Sequence, residues 1–186
     1  HAPYIINLAN RNKSTFAKEF LISEIKKMNL IGAKYLVLHP GAKLDQNLEW
    51  TLDHLAKNIK DILEKTTNVS IILETMAGKG SEIGKTLEEL KILIDKIDSD
   101  RIGVCLDTCH LWDGGYDIKN DFESNEGKHF ITQLEKMDLL KKVKVIHLND
   151  SKNELGSHKD RHANIGQGFI GLKALRNFAN HSRFKN

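Results

Sequence analysis

Four short apolar segments, each ending in a histidine or an acidic residue, constrain the fold more than any other feature of the sequence. The segments are rich in β-branched residues and too short for helices, which indicates buried strands. Successive segment ends lie 33 to 40 residues apart, an interval that matches one βαβ unit. The pattern therefore predicts an α/β fold with a parallel sheet, whose carboxyl edge brings four side chains together. These side chains are His39, Glu74, Asp107 and His147.

Amphipathic segments separate the predicted strands. Apolar residues recur at helical spacing over positions 46–65, and Thr86 followed by Glu89 fits the capping box that begins a helix. Positions 108–125, which contain two adjacent glycines, are predicted to form a loop. The chain of 186 residues has no linker and no low-complexity stretch, so we expect a single domain over residues 1–186.

The composition narrows the functional class only a little. A net charge of +3 and a pI of about 8.7 are too mild to indicate nucleic acid on their own. No apolar run approaches the roughly 18 residues that a membrane helix needs, so no membrane association is expected. Cys105 and Cys109 are too close in sequence to staple a fold, which favours small buried thiols in a reduced, cytoplasmic setting.

Further candidate metal ligands lie beside the strand ends. His110 follows Asp107 by three residues, and a polar loop after the fourth strand carries Asp160 and His162. Imidazoles combined with carboxylates suit zinc and similar ions. A polar residue that merely marks the end of a strand would explain any one of the four strand-end residues. Four successive strands that end in this way disfavour that interpretation. Cys109 and His158 stay open as ligands, whereas His54, His129 and His181 are interpreted as surface or capping histidines.

Several motifs resemble those of the endonuclease IV family of apurinic/apyrimidinic DNA endonucleases. They include His39-Pro-Gly, Leu73-Glu74-Thr and Gly103-Val-Cys-Leu-Asp-Thr-Cys-His110, and two more span residues 146–152 and 160–168. The resemblance implies a (β/α)8 TIM barrel of the xylose-isomerase-like type with three zinc ions at its carboxyl-terminal face. It assigns His1, His39 and Glu74 to the first ion. Glu74, Asp107 and His147 are assigned to the second ion, and His110, Asp160 and His162 to the third.

The resemblance also implies a reaction. The enzyme would cleave the phosphodiester 5′ to an abasic site in duplex DNA and leave a 3′-hydroxyl, acting as a monomer, with the bridging Glu74 as the catalytic residue. Tyr4 and Ile5 would enter the minor groove near the lesion. The abasic nucleotide would be flipped outward, which costs little because it has no base to unstack.

The family pattern extends beyond this chain on both sides. It has strands before the position of His1 and a last strand after Asn186, which supplies a glutamate to the second ion. We therefore expect the central part of a barrel, about four strands of eight, with two open sheet edges. One alternative is a sugar isomerase or epimerase of the same barrel type, whose carboxylate-rich sites suit harder ions. Five histidines against three carboxylates favour zinc here. Another alternative is a zinc- or DNA-binding fragment without activity.

Overall fold

Four strands lie side by side in chain order and all run parallel. The computed structural model describes residues 1–185, and helices connect the strands. The strands of this sheet are β1 (Tyr35–Leu38), β2 (Ser70–Glu74), β3 (Ile102–Asp107) and β4 (Val143–His147). A separate two-stranded hairpin pairs β5 (Asp150–Ser151) with β6 (His162–Ala163). The α-helices are α1 (Ser14–Leu30), α2 (Leu48–Glu64), α3 (Leu87–Ile97), α4 (Thr108–Asp113), α5 (Ile118–Ser124), α6 (Lys128–Lys136) and α7 (Leu172–Asn180).

The two faces of the four-stranded sheet have different neighbours. Leu36, Leu38 and Leu73 belong to the main core, which the helices cover. Alternate positions on the strands, including Val37 and Ile72, form a second, smaller apolar cluster on the opposite face. This alternation follows from the two-residue repeat of a strand. The predicted order of strands and amphipathic helices is confirmed.

The edges of the sheet are formed by β1 and β4, as predicted. The amino-terminal segment covers part of the β1 edge, because the backbone N–H of Ala2 donates to the carbonyl of Val37 at 2.8 Å. Strand β4 is only half-buried, and Lys144 on it is exposed. Within residues 1–185, no helix is both long and apolar enough to cross a lipid bilayer.

The prediction of a loop over residues 108–125 is wrong, because two helices occupy most of it. Helix α4 follows β3 directly, and α5 begins after Asp117, whose carboxylate accepts the N–H of Asn120. The glycine pair 114–115 forms only the turn between them, where Gly115 has a φ of +103°. Buried Leu111 and Phe122 anchor the two helices, so tertiary packing outweighs the local glycine signal.

Helix α3 begins as predicted at Thr86, whose hydroxyl accepts the N–H of Glu89 at 3.2 Å. The second half of the predicted capping box is replaced by a tertiary bond. The Glu89 carboxylate accepts the N–H of Gly84 at 2.7 Å and so ties the glycine-rich loop to the helix.

Candidate metal centre

Three imidazoles converge on the carboxylate of Glu74, the last residue of β2. Glu74 Oε2 lies 2.8 Å from His1 Nε2 and 3.1 Å from His39 Nε2. Its other oxygen, Oε1, lies 2.7 Å from His147 Nδ1. The Glu74 side chain is only 2% exposed. Glu74 is therefore shared between two sets of neighbours, as a bridging ligand would be.

The register of the sheet explains this convergence. Leu38 pairs with Leu73, so His39 and Glu74 leave neighbouring strands at the same level. Asp107 pairs with His147 in the same way, and Asp107 Oδ2 lies 3.9 Å from His147 Nδ1. The four residues predicted from the strand ends thus lie at one edge of the sheet; we call them the strand-end cluster.

A second group, which we call the loop cluster, consists of His110, Asp160 and His162. Asp160 Oδ1 lies 3.0 Å from His110 Nε2 and 3.3 Å from His162 Nε2. His110 is oriented by the start of α4, where Asp107 Oδ1 accepts the backbone N–H of His110 at 3.0 Å. The two clusters are adjacent, because His162 Nε2 also lies 3.9 Å from Asp107 Oδ2.

Polar residues that the sequence analysis did not identify support both clusters. The amide of Asn149 donates to Asp107 Oδ2 at 2.6 Å. Asp113, fully buried at the end of α4, accepts the hydroxyl of Ser151 at 2.6 Å and the backbone N–H of Asp160 at 2.8 Å. Asp113 lies one helical turn after His110, so α4 holds one ligand and orients another. That spacing was the available sequence signal.

The charges of the cluster stabilise one another. Burial would raise the pKa of Glu74, but hydrogen bonds from His1 and His39 hold that pKa well below its usual value. Hydrogen bonds from His110 and His162 likewise keep the pKa of Asp160 low. Burial works against protonation of His110, yet the bond to Asp160 and the charge of Asp107 raise the pKa of His110 to about 9. The carboxylates therefore remain ionised and attract cations.

The donor set fits a group of borderline metal ions such as zinc. Ligands of one tetrahedral zinc lie roughly 3.3–3.6 Å apart, close to the separations within both clusters. His1 and His110 each direct Nδ1–H to a backbone carbonyl, at 2.7 Å to Ala2 and 2.8 Å to Thr75, which leaves Nε2 facing a carboxylate. Metal-binding histidines are commonly oriented in this way. Two of the three predicted ligand sets also form compact groups, with ligand atoms within 4.8 Å of one another: His1, His39 and Glu74; His110, Asp160 and His162.

In the remaining set, His147 Nδ1 lies 2.7 Å from Glu74 and 3.9 Å from Asp107, and this set lies close to the thiols. Cys105 groups with Glu74 and His147, and Cys109 with Asp107 and His162. Both thiols are buried, as predicted. Burial raises the pKa of Cys109 to about 12 and that of Cys105 well above its usual value, which favours the protonated thiol over the thiolate that binds metal.

Tyr4 and Ile5 lie in the turn at the amino terminus, with 69% and 81% of their surface exposed. The Tyr4 ring contacts the His39 ring edge-on, with centroids 5.5 Å apart. Both residues line an open pocket of about 560 Å³ that also includes His39 and Glu82. They are thus not core residues, and their role in binding DNA stays a prediction.

The other histidines lie outside these groups within the described residues. His158 donates from Nδ1 to the carbonyl of Ala77 at 2.7 Å. His54 stacks on Trp50, and His181 accepts the N–H of Arg183. The interpretation as surface or capping residues is confirmed for exposed His129 and for His181, whereas His54 is half-buried and its ring lies 3.1 Å from the Ser14 hydroxyl.

A model of the xylose isomerase-like TIM barrel family matches residues 1–186. The chain belongs to this family. It is 58% identical over 186 residues to a protein named probable endonuclease 4 from Mycoplasmopsis synoviae strain 53, covering 100% of this chain and 65% of that relative. The crystal structure of endonuclease IV from Thermus thermophilus superposes with a TM-score of 0.84 at 31% identity, covering 100% of this chain and 64% of that one. The resemblance to the endonuclease IV family is confirmed.

The family membership accounts for the open sheet. A D-tagatose 3-epimerase-like protein has the same fold, with a TM-score of 0.72 at 21% identity over 96% of this chain and 64% of that one. The chain spans about two-thirds of the length of these proteins, and its four parallel strands form half of an eight-stranded barrel. The predicted fold, an incomplete xylose-isomerase-like TIM barrel, is confirmed.

Proposed function

We propose that this chain forms the metal-binding part of a DNA-repair endonuclease. The enzyme hydrolyses the phosphodiester 5′ to an abasic site in duplex DNA and leaves a 3′-hydroxyl. The observation that carries the proposal is the pair of adjacent clusters, in which Glu74 contacts histidines on both of its oxygens and Asp107 lies 3.9 Å from His162. Similarity to proteins named endonuclease 4 supports the same reaction.

Three zinc ions are the cofactors we propose. His1, His39 and Glu74 would hold the first. Glu74, Asp107 and His147 would hold the second, and His110, Asp160 and His162 the third. Zinc supplies Lewis acidity for the attacking and leaving oxygens of a phosphodiester. The five imidazoles would bind zinc without adding negative charge, so the loaded site would retain the positive potential that attracts a phosphate.

The residues of the chain itself orient the ligands and recognise the substrate. Asp107 is fixed from two sides, because its backbone N–H donates to Thr75 Oγ1 at 3.0 Å and its carboxylate accepts the amide of Asn149. Exposed Tyr4 and Ile5 beside His39 would wedge into the minor groove at the lesion. The partner is thus double-stranded DNA with an abasic site, bound by a monomeric intracellular enzyme.

The test is a nicking assay with the full-length protein on a duplex that contains one stable abasic analogue. We expect cleavage on the 5′ side, dependent on zinc, and a product that a DNA polymerase extends. An undamaged duplex and a set of ketohexoses serve as controls. Sugar epimerisation without nicking would support the isomerase alternative instead.

The same assay on residues 1–186 alone tests the ligand assignment. In the family pattern a further glutamate completes the second zinc site, so we expect this chain to bind the second ion weakly and to nick slowly or not at all. Equal activity of the two proteins would show that this assignment is wrong.

A further inference from the structure

The buried carboxylate of Asp150 is not a candidate ligand, yet it lies at the base of the loop that carries two ligands. Asp150 is fully buried. Its two oxygens accept hydrogen bonds from five backbone N–H groups: Ser151 at 2.9 Å, Gly166 and Gly168 at 3.1 Å, Ile170 at 3.0 Å and Gly171 at 3.2 Å. Such bonds to an ionised acceptor are stronger than those between neutral groups.

These bonds close the loop. Four of the donors lie at residues 166–171, so the carboxylate joins the end of the loop to its beginning. Asp160 and His162 lie between these two points. The hairpin β5–β6 also aligns the two ends of this segment, because Asp150 pairs with Ala163 and Ser151 pairs with His162. The position of His162 is therefore coupled directly to the strand that begins at Asp150.

The space around this carboxylate is filled. A Cβ added at Gly168 would lie 2.3 Å from the Ser151 carbonyl and 2.5 Å from Asp150 Oδ1. Both distances are far below van der Waals contact, so any side chain at residue 168 would push the loop away from Asp150. The loop is thus built around the carboxylate, and its conformation depends on both residues.

Asp160 itself has a strained backbone, which needs this support. Its φ is +52°, in the left-handed backbone region that residues other than glycine rarely adopt. Such conformations persist only where the surroundings impose them. The closed loop supplies that constraint and keeps Asp160 Oδ1 within 3.3 Å of both His110 and His162.

We propose that Asp150 is a positioning residue that holds Asp160 and His162 opposite His110, so that the loop cluster is formed before its metal ion binds. The inference rests on the proposed function, because it assumes that this cluster binds the third ion. Asp150 acts only through the loop and contacts neither ligand side chain in the hydrogen bonds described above.

The test is zinc binding by the full-length Asp150→Asn variant, measured by competition with a chromogenic chelator. The amide has the same shape, but whichever way it turns, its NH2 group faces backbone N–H donors. We expect the affinity for one ion to fall about 10–100-fold, the scale found for residues that orient metal ligands. The other two ions should bind as in the parent, and excess zinc should restore both the third ion and nicking.

Asp121→Asn is the matched control. Asp121 is another buried aspartate whose two oxygens accept backbone N–H groups, from His129 and Phe130, but it lies on α5, caps the start of α6 and has no hydrogen bond to either cluster. We expect this variant to lose thermal stability and keep all three ions. If Asp150→Asn does not fold, Gly168→Ala provides the second variant, with the same expected loss of one ion.

The outcomes separate the two proposals. A parent protein that binds no zinc would overturn the proposed function and this inference with it. A parent that binds three ions, with an Asp150→Asn or a folded Gly168→Ala variant of unchanged affinity, would overturn the positioning role alone. An equal loss of zinc in Asp121→Asn would also overturn it, because the effect would then be general destabilisation.

Discussion

The two halves of the metal centre are built in different ways. The strand-end cluster sits on a parallel sheet, and its carboxylates, Glu74 and Asp107, have side chains that are 2% and 1% exposed. The loop cluster sits partly on an irregular segment, where Asp160 and His162 have side chains that are 19% and 44% exposed. The sheet fixes the backbone of the first group through strand pairing and core packing, with added hydrogen bonds between Asp107 and Thr75 and Asn149, whereas the loop residues of the second group depend mainly on hydrogen bonds.

This difference predicts how each cluster responds to amino-acid substitutions. We expect that a strand-end ligand can be removed without moving its neighbours, because the apolar residues of the sheet hold the backbone. We expect a loop ligand to move when a distant hydrogen bond is lost, because none of residues 152–169 is buried in the core. Changes in the strand-end cluster should therefore affect chemistry most, and changes around the loop should affect metal affinity most.

The largest effect is expected for Glu74→Gln, which keeps the volume of the shared ligand but removes its charge. We expect kcat for abasic-site nicking to fall by about 10³-fold, the upper scale for losing one electrostatic group in an active site, with little change in DNA affinity. The fold should survive, since the backbone of β2 is unchanged. Steady-state kinetics and DNA-binding titrations measure the two effects; nicking at the parent rate would remove Glu74 from the site.

A smaller and more selective effect is expected for His162→Ala in the loop cluster. This change removes one ligand and leaves Glu74, His39 and His147 in place. We expect the loss of one zinc equivalent and a fall in that site's affinity of about 100-fold or more. Metal analysis after dialysis against a buffered zinc concentration measures the occupancy. If all three equivalents were lost together, the two clusters would not be separable units.

The contrast between the clusters also shows which parts of the site could be predicted from the sequence. The four strands and their terminal ligands were predictable, because strand periodicity and βαβ spacing are local patterns. His110 and the pair Asp160 and His162 were found from residue type, and His1 only from the family resemblance. The supporting roles of Asn149 and Asp150 could not be predicted, because each depends on a loop closing against residues distant in the chain, and for Asp113 only the spacing from His110 was visible in the sequence.

Asp113→Ala tests the support of the loop from α4. It leaves the N–H of Asp160 and the hydroxyl of Ser151 without their acceptor, at a cost of about 1–3 kcal/mol for each buried group that stays unpaired. We expect roughly a tenfold loss of third-ion affinity. Asp113→Asn should recover most of it, since the amide oxygen can face Asp160 while its NH2 donates to Ser151. No difference between the two variants would argue against this geometry.

The smallest effect is expected outside both clusters, at Tyr4. Tyr4→Ala removes an exposed ring beside His39 and leaves the ligands in place. We expect KM for abasic duplex to rise roughly fivefold, equivalent to about 1 kcal/mol, while kcat and zinc content stay the same. Affinity for undamaged duplex should not change. A fall in kcat alone would instead place Tyr4 in the chemistry.

Anomalous diffraction at the zinc absorption edge would show whether the two clusters form one three-ion centre joined through Glu74 and Asp107. The measurement requires crystals of the full-length protein grown with zinc. We expect three peaks, two of them sharing Glu74 and the third bounded by His110, Asp160 and His162. A single peak held mainly by carboxylates, or zinc bound away from both clusters, would contradict this expectation.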